Sequence, residues 1–300
     1  ENKKMYKNKK KSVALSGPIG NPLFFIAPGV LWLVLFGMFP LIFMFIMSFW
    51  SSTIFGTSPD FTFENFKRVI FTELYREQLI KTLRIAAITT IITLFISYPV
   101  AFLLSKMKGK KKALFVLLMF LPFWTSYVIR SFVWLPILGR NGAINKFLLE
   151  LGFINEPLDW LLYNEGAVFI GLIYVYTLFM TLPIYLSLEK IDPTLIEAGT
   201  DLGAKPPSIF LKIILPLSWP GVLSGCIMVF LLTIGAFVTP QLLGGPSGIM
   251  YGNIIYSQFL ANNNWAFGSA LSITLIFIVF FILLLTSRWI GIQQVFSSGK

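Results

Sequence analysis

Long apolar runs separated by short polar connections dominate this chain. They fall at Phe24 to Phe49, Ile85 to Leu104, Ala113 to Ile129, Ala167 to Leu188, Ser218 to Thr239 and Ala266 to Ser287. A membrane-crossing helix needs about 20 predominantly apolar residues. These runs do not alternate between apolar and polar positions, so they predict helices and not the strands of a barrel. An all-α polytopic membrane protein with six transmembrane helices is therefore predicted over residues 23–292, with tails at 1–22 and 293–300. The first run is too long for the apolar region of a secretory signal and is kept as a span. Several runs contain proline (Pro28, Pro40, Pro99, Pro122, Pro183), which predicts kinked helices.

Charge then sets the orientation. The tail "ENKKMYKNKKK" carries six lysines, and the second-to-third connection "KMKGKKK" carries five. With alternating spans both fall on one side, which is predicted to be the cytoplasm, with both termini there. The connections after the first and third spans mix both signs, and the one after the fifth, "QLLGGPSGIMYGNIIYSQFLANNNW", is uncharged. Composition agrees with a membrane protein. The chain is 56% hydrophobic and 12% charged, whereas a soluble domain is about one quarter charged. No charged residue occurs between Lys11 and Asp60, or between Lys212 and Arg288.

Chemistry is narrowed by what is missing. With no histidine, imidazole acid–base catalysis and histidine metal ligation are excluded. The single cysteine, Cys226, allows no disulfide within the chain. There is no phosphate-binding G-x-x-x-x-G-K-[ST] loop, so nucleotide hydrolysis is not expected here. The net charge of +11 reflects lysines beside spans and not a nucleic-acid surface. A membrane enzyme would need paired carboxylates or a nucleophile with its base. A secondary transporter usually carries ionisable groups inside its spans. Neither pattern is present.

One stretch departs from the apolar pattern: "IEAGTDLGAKPPSIFLKIILPL", residues 196–217. Asp192 before Pro193 predicts a helix start, and Gly203 predicts its end. Leu195, Ile196, Gly199 and Leu202 are expected on one side, with Glu197 and Asp201 on another. "KPP" forces a turn, Ser208 is expected to begin a second helix, and Pro216 to stop it. A bent helix pair with acidic residues is poorly suited to lying on anionic lipid, and it predicts a protein-docking element.

Glu197-Ala198-Gly199, three residues, Gly203, nine residues, Ile213, one residue, Leu215-Pro216 resembles the EAA loop of ABC importer permeases. That motif has alanine where Gly199 stands, a change that keeps a small residue but lowers helix propensity by up to about 1 kcal/mol. "LPFWTSYVIRSF" (121–132), "LPIYLSLEKIDPTLIEAGTDLGA" (182–204) and "LLGGPSGIMYGNII" (242–255) resemble permease subunits of spermidine/putrescine ABC importers. The resemblance runs from about Ile85 to Arg288. It implies a type I importer permease in a bacterial inner membrane, multi-pass and non-catalytic. Implied partners are a second homologous permease, giving a heterodimer, two ATPases that hold ATP and Mg, and an extracytoplasmic binding protein. It also implies that residues 190–216 couple to the ATPase, through Glu197, Ala198, Gly199, Asp201, Gly203, Ile213, Leu215 and Pro216. Polyamines are the expected substrate, with an opine, an amino-acid derivative or another organic ion as the alternative.

No carboxylate lies inside a predicted span, so a cation in transit would rely on aromatic faces, each contributing roughly 0.5–2 kcal/mol. Trp124, Tyr127, Trp134, Tyr174, Tyr176 and Tyr185 are the candidates. Arg130 is expected at the outer interface, at the end of the third span.

Overall fold

A computed structural model describes residues 22–53 and 56–297; most of the basic tail lies outside them. The first apolar run forms α1 (Pro22–Trp32) and α2 (Phe39–Met47), joined by a π turn at Leu33–Met38. A small antiparallel hairpin follows, β1 (Ser51–Thr53) with β2 (Gly56–Ser58), in register Ser52↔Thr57. It is the exception to an otherwise helical chain among the described residues. Next come α3 (Glu64–Phe71) and the long α4 (Glu73–Lys106), which contains the second predicted span.

The third predicted span is not straight. α5 (Gly109–Phe120) passes into a 3-10 turn at Leu121–Trp124, and the chain then bends by 95°. Ser126 caps the next helix by accepting from the Ile129 amide at 3.4 Å. The bent limb is α6 (Tyr127–Phe132), α7 (Trp134–Leu138) and α8 (Ala143–Glu150). Counted by length and apolarity, five helices can each cross a membrane, and the bent pair makes a sixth. The six-span expectation stands in that form.

The fourth span is α9 (Glu165–Glu189). After it come the short α10 (Pro193–Asp201) and α11 (Pro206–Ile209), a π turn at Phe210–Ile214, and α12 (Leu215–Ile234). The uncharged connection after α12 folds into α13 (Val238–Leu243), α14 (Gly245–Gly248) and α15 (Tyr251–Leu260). α16 (Trp265–Ser297) closes the chain and continues into the segment expected as a tail.

The core sits where α9 meets α4 and α12. Leu172, Val175, Met180 and Ile184 of α9 are buried against Ile85 and Ala101 of α4 and Val222 and Val229 of α12. Helices in lipid gain little from apolar burial against each other, so close packing and hydrogen bonds hold them. Both are visible. Ser97 Oγ donates to the Thr177 carbonyl at 3.1 Å, the Tyr98 and Ser218 hydroxyls share a 2.9 Å bond, and Tyr176 Oη donates to the Leu232 carbonyl at 3.1 Å. On α12, "GVLSG" puts Gly221 and Gly225 four residues apart on the face toward α9. A Cβ on Gly221 would lie 2.5 Å from the Pro183 carbonyl oxygen, and one on Gly225 2.8 Å from Met180 Sδ. The two backbones approach as closely as they do because these positions carry no side chain.

The N-terminal half of α4 is tied down by polar contacts. Arg84 donates to both Glu165 carboxylate oxygens at 2.8 and 2.7 Å. Lys81 Nζ donates to the Ser247 carbonyl, and Thr82 Oγ1 accepts from the Tyr251 amide at 2.8 Å. The stretch 242–255 is therefore a packed cap on the bundle.

The two glycines predict different sensitivities. Gly221→Ala meets backbone at 2.5 Å and must push α12 off α9, while Gly225→Ala meets a thioether that can rotate away and the Met180 carbonyl oxygen only at a less severe 3.1 Å. Overpacking typically costs about 1–3 kcal/mol. Thermal denaturation in detergent should show Gly221→Ala clearly less stable than Gly225→Ala; equal midpoints would contradict the close approach.

Candidate functional site: the bent element between two spans

The stretch 190–216 connects α9 to α12, the two helices whose backbones touch. Asp192 starts α10: its carboxylate accepts from the Thr194 amide at 2.9 Å. Those hydrogen bonds hold its acid below the usual carboxylate range. A group with a depressed pKa contributes stability above its unfolded pKa and loses it as pH falls through the folded one.

The C-terminus of α10 has the geometry that glycine permits. Gly203 has φ +77° with open space around the missing Cβ, so its role is conformational. Its amide donates to the Thr200 carbonyl at 2.9 Å and the Ala204 amide to the Gly199 carbonyl at 3.0 Å, the paired pattern of a Schellman cap.

The next helix differs from expectation at both ends. It begins at Pro206, not Ser208, because both prolines occupy first-turn positions where no amide bond is lost. It does not stop at Pro216. Leu215, just before that proline, donates back to Phe210 across a π turn. The wider turn absorbs the amide that proline lacks, and the helix runs on to Ile234. The same device precedes Pro40, where the Phe39 amide donates to Val34.

The element has two distinct sides. Inward, Ile209 and Ile214 are buried and Ile191, Ile196, Ala204, Phe210 and Ile213 pack against the same core. Phe210 meets Tyr98 and Phe102 of α4 edge-on at 5.8 and 5.9 Å. A Cβ on Gly199 would lie 2.9 Å from Ile213 Cδ1, so two motif positions on either side of the bend touch each other. Outward, Leu195 and Leu202 are exposed, Leu202 by 89%, together with Glu197, Ala198 and Asp201. Leu195 and Leu202, expected on one side with Ile196 and Gly199, are thus exposed while those two are covered. The core takes Ile196 and Gly199, and the two leucines, like the acidic residues, stay exposed. A nearly fully exposed leucine beside two carboxylates is a mixed apolar and acidic surface anchored to the core behind it.

This element lies at the same end of the bundle as the second-to-third connection. Lys112 donates to both oxygens of Glu189 at 2.6 Å. That agrees with the expectation that the five lysines and residues 190–216 share one side.

The aromatic candidates do not line one path. Tyr176 is buried, its hydroxyl spent on Leu232. Tyr127 is pinned to Thr239 Oγ1 at 2.9 Å, and Ser131 to the same oxygen at 2.8 Å. Tyr185 lies at the lysine end, its ring 5.6 Å from Lys112 Nζ. Trp124 projects from the elbow at 82% exposure, and Trp134 stands edge-on to Tyr174 at 5.6 Å. Arg130 follows the elbow of the third span. Because the third span bends, it turns back over the Phe123 ring at 4.6 Å, with Nε buried and no hydrogen-bond partner. Arg130, Tyr174 and Phe123 border a cavity of about 230 Å³ whose other walls include Thr177 and Thr181 in the middle of α9.

The described residues form a multi-span helical bundle with a bent element, exposed on one side, between two of its spans. Residues 86–293 match the family described as binding-protein-dependent transport system inner membrane component, and the chain belongs to that family. It is a multi-pass protein of the inner membrane. Two relatives are the spermidine/putrescine transport system permease proteins PotB of Haemophilus influenzae and Escherichia coli. The first is 40% identical, covering 81% of this chain and 85% of that protein. The second is 38% identical, covering 86% and 93%. Among solved structures, a bacterial alginate ABC transporter in complex with an alginate-bound periplasmic protein superposes with a TM-score of 0.68 at 17% identity, over 87% of this chain and 90% of the other. That likeness establishes the type I importer permease fold.

The packing of the element gives a graded expectation at its core. Gly199→Ala needs only a small shift of the Ile213 side-chain tip and should leave function near wild type. Gly199→Leu should separate α10 from the next helix and sharply reduce transport-linked ATP hydrolysis by the assembled complex. Equal activity of the two variants would show that this contact does not matter. At the start of α10, Asp192→Asn retains a capping group and Asp192→Ala does not. At neutral pH only the alanine variant should loosen the element, read by hydrogen exchange at Thr194 and Leu195.

Proposed function

We propose that this chain is the permease subunit of an ATP-driven importer for polyamines such as putrescine and spermidine. It would form half of the translocation pathway, with a second related permease as the other half. Two ATPase subunits would supply the energy from ATP and Mg held on their own residues, and a separate binding protein would deliver the substrate. In this reading the lysine-bearing end of the bundle faces the cytoplasm.

The observation that carries the reading is one of position. The stretch resembling the EAA loop is also the stretch whose outer face is left open and whose inner face is fixed to the α9–α12 pair. Its face of Leu202, Leu195, Glu197 and Asp201 suits a cleft that is apolar at its floor and basic at its rim. The substrate class is supported by the two PotB relatives, each close to this chain over most of its length.

The coupling role is tested with Glu197→Lys and Gly203→Val. The first reverses a charge on the open face. The second forces a β-branched residue to φ +77°, a conformation such residues strongly disfavour. Each should reduce substrate-stimulated ATP hydrolysis by about tenfold or more; unchanged coupling in both would exclude the role. The substrate class is tested separately, by the melting temperature of the cognate binding protein. Putrescine or spermidine at a hundred times its dissociation constant should stabilise it by about 2.7 kcal/mol. No shift with either polyamine would transfer the reading to another small solute.

A further inference from the structure

At the inner end of the bundle, a cavity of about 380 Å³ opens between the end of α4, the start of α5, the end of α9 and the start of α10. Lys106, Lys108 and Lys112 line one side, and Pro193 and Ile196 of α10 line the other. Glu189 also borders it, but Lys112 holds both of that carboxylate's oxygens at 2.6 Å. Lys106 Nζ sits 5.4 Å from the Phe102 ring, at the cavity wall. Residues 106–112 carry five lysines. Among the described residues, Glu189 is the one acidic group paired with any of them. The remaining cations repel one another across a concave, partly apolar space, and that arrangement favours an anionic occupant.

The depth of the site identifies the occupant. Lys106 ends one membrane-crossing helix, and Lys110, Lys111 and Lys112 begin the next. Immediately beside them Leu103, Leu114 and Phe115 are exposed, as lipid-facing residues are. The ammonium groups therefore lie where acyl chains give way to headgroups. Glu197, Asp201 and Leu202 of α10 do not line this cavity and are exposed. We propose that this cavity is a binding site for the phosphate of an anionic phospholipid, whose headgroup wedges between the lysines and the base of α10. Basic pockets between spans on the cytoplasmic side are physically suited to such headgroups. The bound lipid would touch the element that bears against the ATPase. The site requires only that the chain be membrane-embedded, and it is independent of the transported solute.

The test uses the assembled complex, stripped of lipid in detergent and titrated with phosphatidylglycerol or phosphatidylcholine, with bound lipid counted by native mass spectrometry. Wild type should retain phosphatidylglycerol at least about tenfold more tightly than phosphatidylcholine. The double variant Lys106→Gln, Lys108→Gln should lose about tenfold or more of that affinity, since each lysine near a headgroup contributes about a fivefold factor. Lys106→Arg with Lys108→Arg should keep it. Equal retention of the two lipids by wild type would overturn the proposal without any variant, as would an undiminished preference in the glutamine variant. Displacement of bound phosphatidylglycerol by inorganic phosphate at millimolar concentration would reassign the cavity to a soluble anion. Loss of the ATPase from the glutamine variant with lipid preference intact would identify an acidic protein surface as the true partner of these lysines.

Discussion

The close contact of α9 with α12 is the constraint on which the rest of the structure depends. Lipid supplies no hydrophobic drive between helices, so the pair is held by how near its backbones can come. Gly221 over the Pro183 carbonyl sets that distance. Residues 190–216 are nothing more than the connection between these two helices. Both ends of the bent element are thus attached to a single packed unit. A push on its open face cannot be taken up by one helix sliding past the other, because the two backbones are in close contact at Gly221 and Gly225. It moves the pair together, and with it α4, which is joined through Ser97 to α9 and through Tyr98 to α12.

The element itself divides stiffness from compliance. Its bend is fixed by a Schellman cap at Gly203, and its two limbs are held together at Gly199 and Ile213. The join to α12 is different: a π turn at Phe210–Ile214, where hydrogen bonds are spaced more widely than in an α-helix. Such turns recur at functional sites. Here the turn lies between the lever and the span it would move, and Phe210 wedges it against Tyr98 and Phe102. Displacement of α10 therefore enters the membrane at a position already braced on α4.

Much of this was legible in the residues. Apolar run length gave the spans, Asp192-Pro193 the start of α10, and Gly203 its end, because caps are decided locally. The failures came where one local rule competes with another. Pro122 and Ser126 are a stop and a start signal, yet the surrounding apolar run concealed the 95° bend between them. Pro216 reads as a stop, but proline ends a helix only if the chain cannot widen to accommodate it. Leu195 and Leu202 share a side with Ile196 and Gly199 by spacing, yet they stay exposed. Their orientation depends on which face of α10 meets Ile209 and Ile213, and that is a tertiary fact. The "GVLSG" spacing was present in the sequence and becomes informative only once Pro183 is known to lie opposite.

Arg130 sharpens the electrostatic problem of moving a polycation. The bend places its guanidinium over Phe123, next to Tyr174 and the middle of α9, and so commits a ring that would otherwise attract a substrate cation. Tyr185 is likewise occupied by Lys112, and Tyr176 and Tyr127 spend their hydroxyls on the protein. A fixed positive charge in low dielectric repels a second one strongly. On this chain, then, the cavity beside Arg130 disfavours a polyamine. For the proposed substrate the attractive charge must be presented by a facing surface, where a carboxylate can both neutralise Arg130 and meet the cation. Selectivity would then arise between subunits, with this chain supplying the shape, the lever and a positive wall.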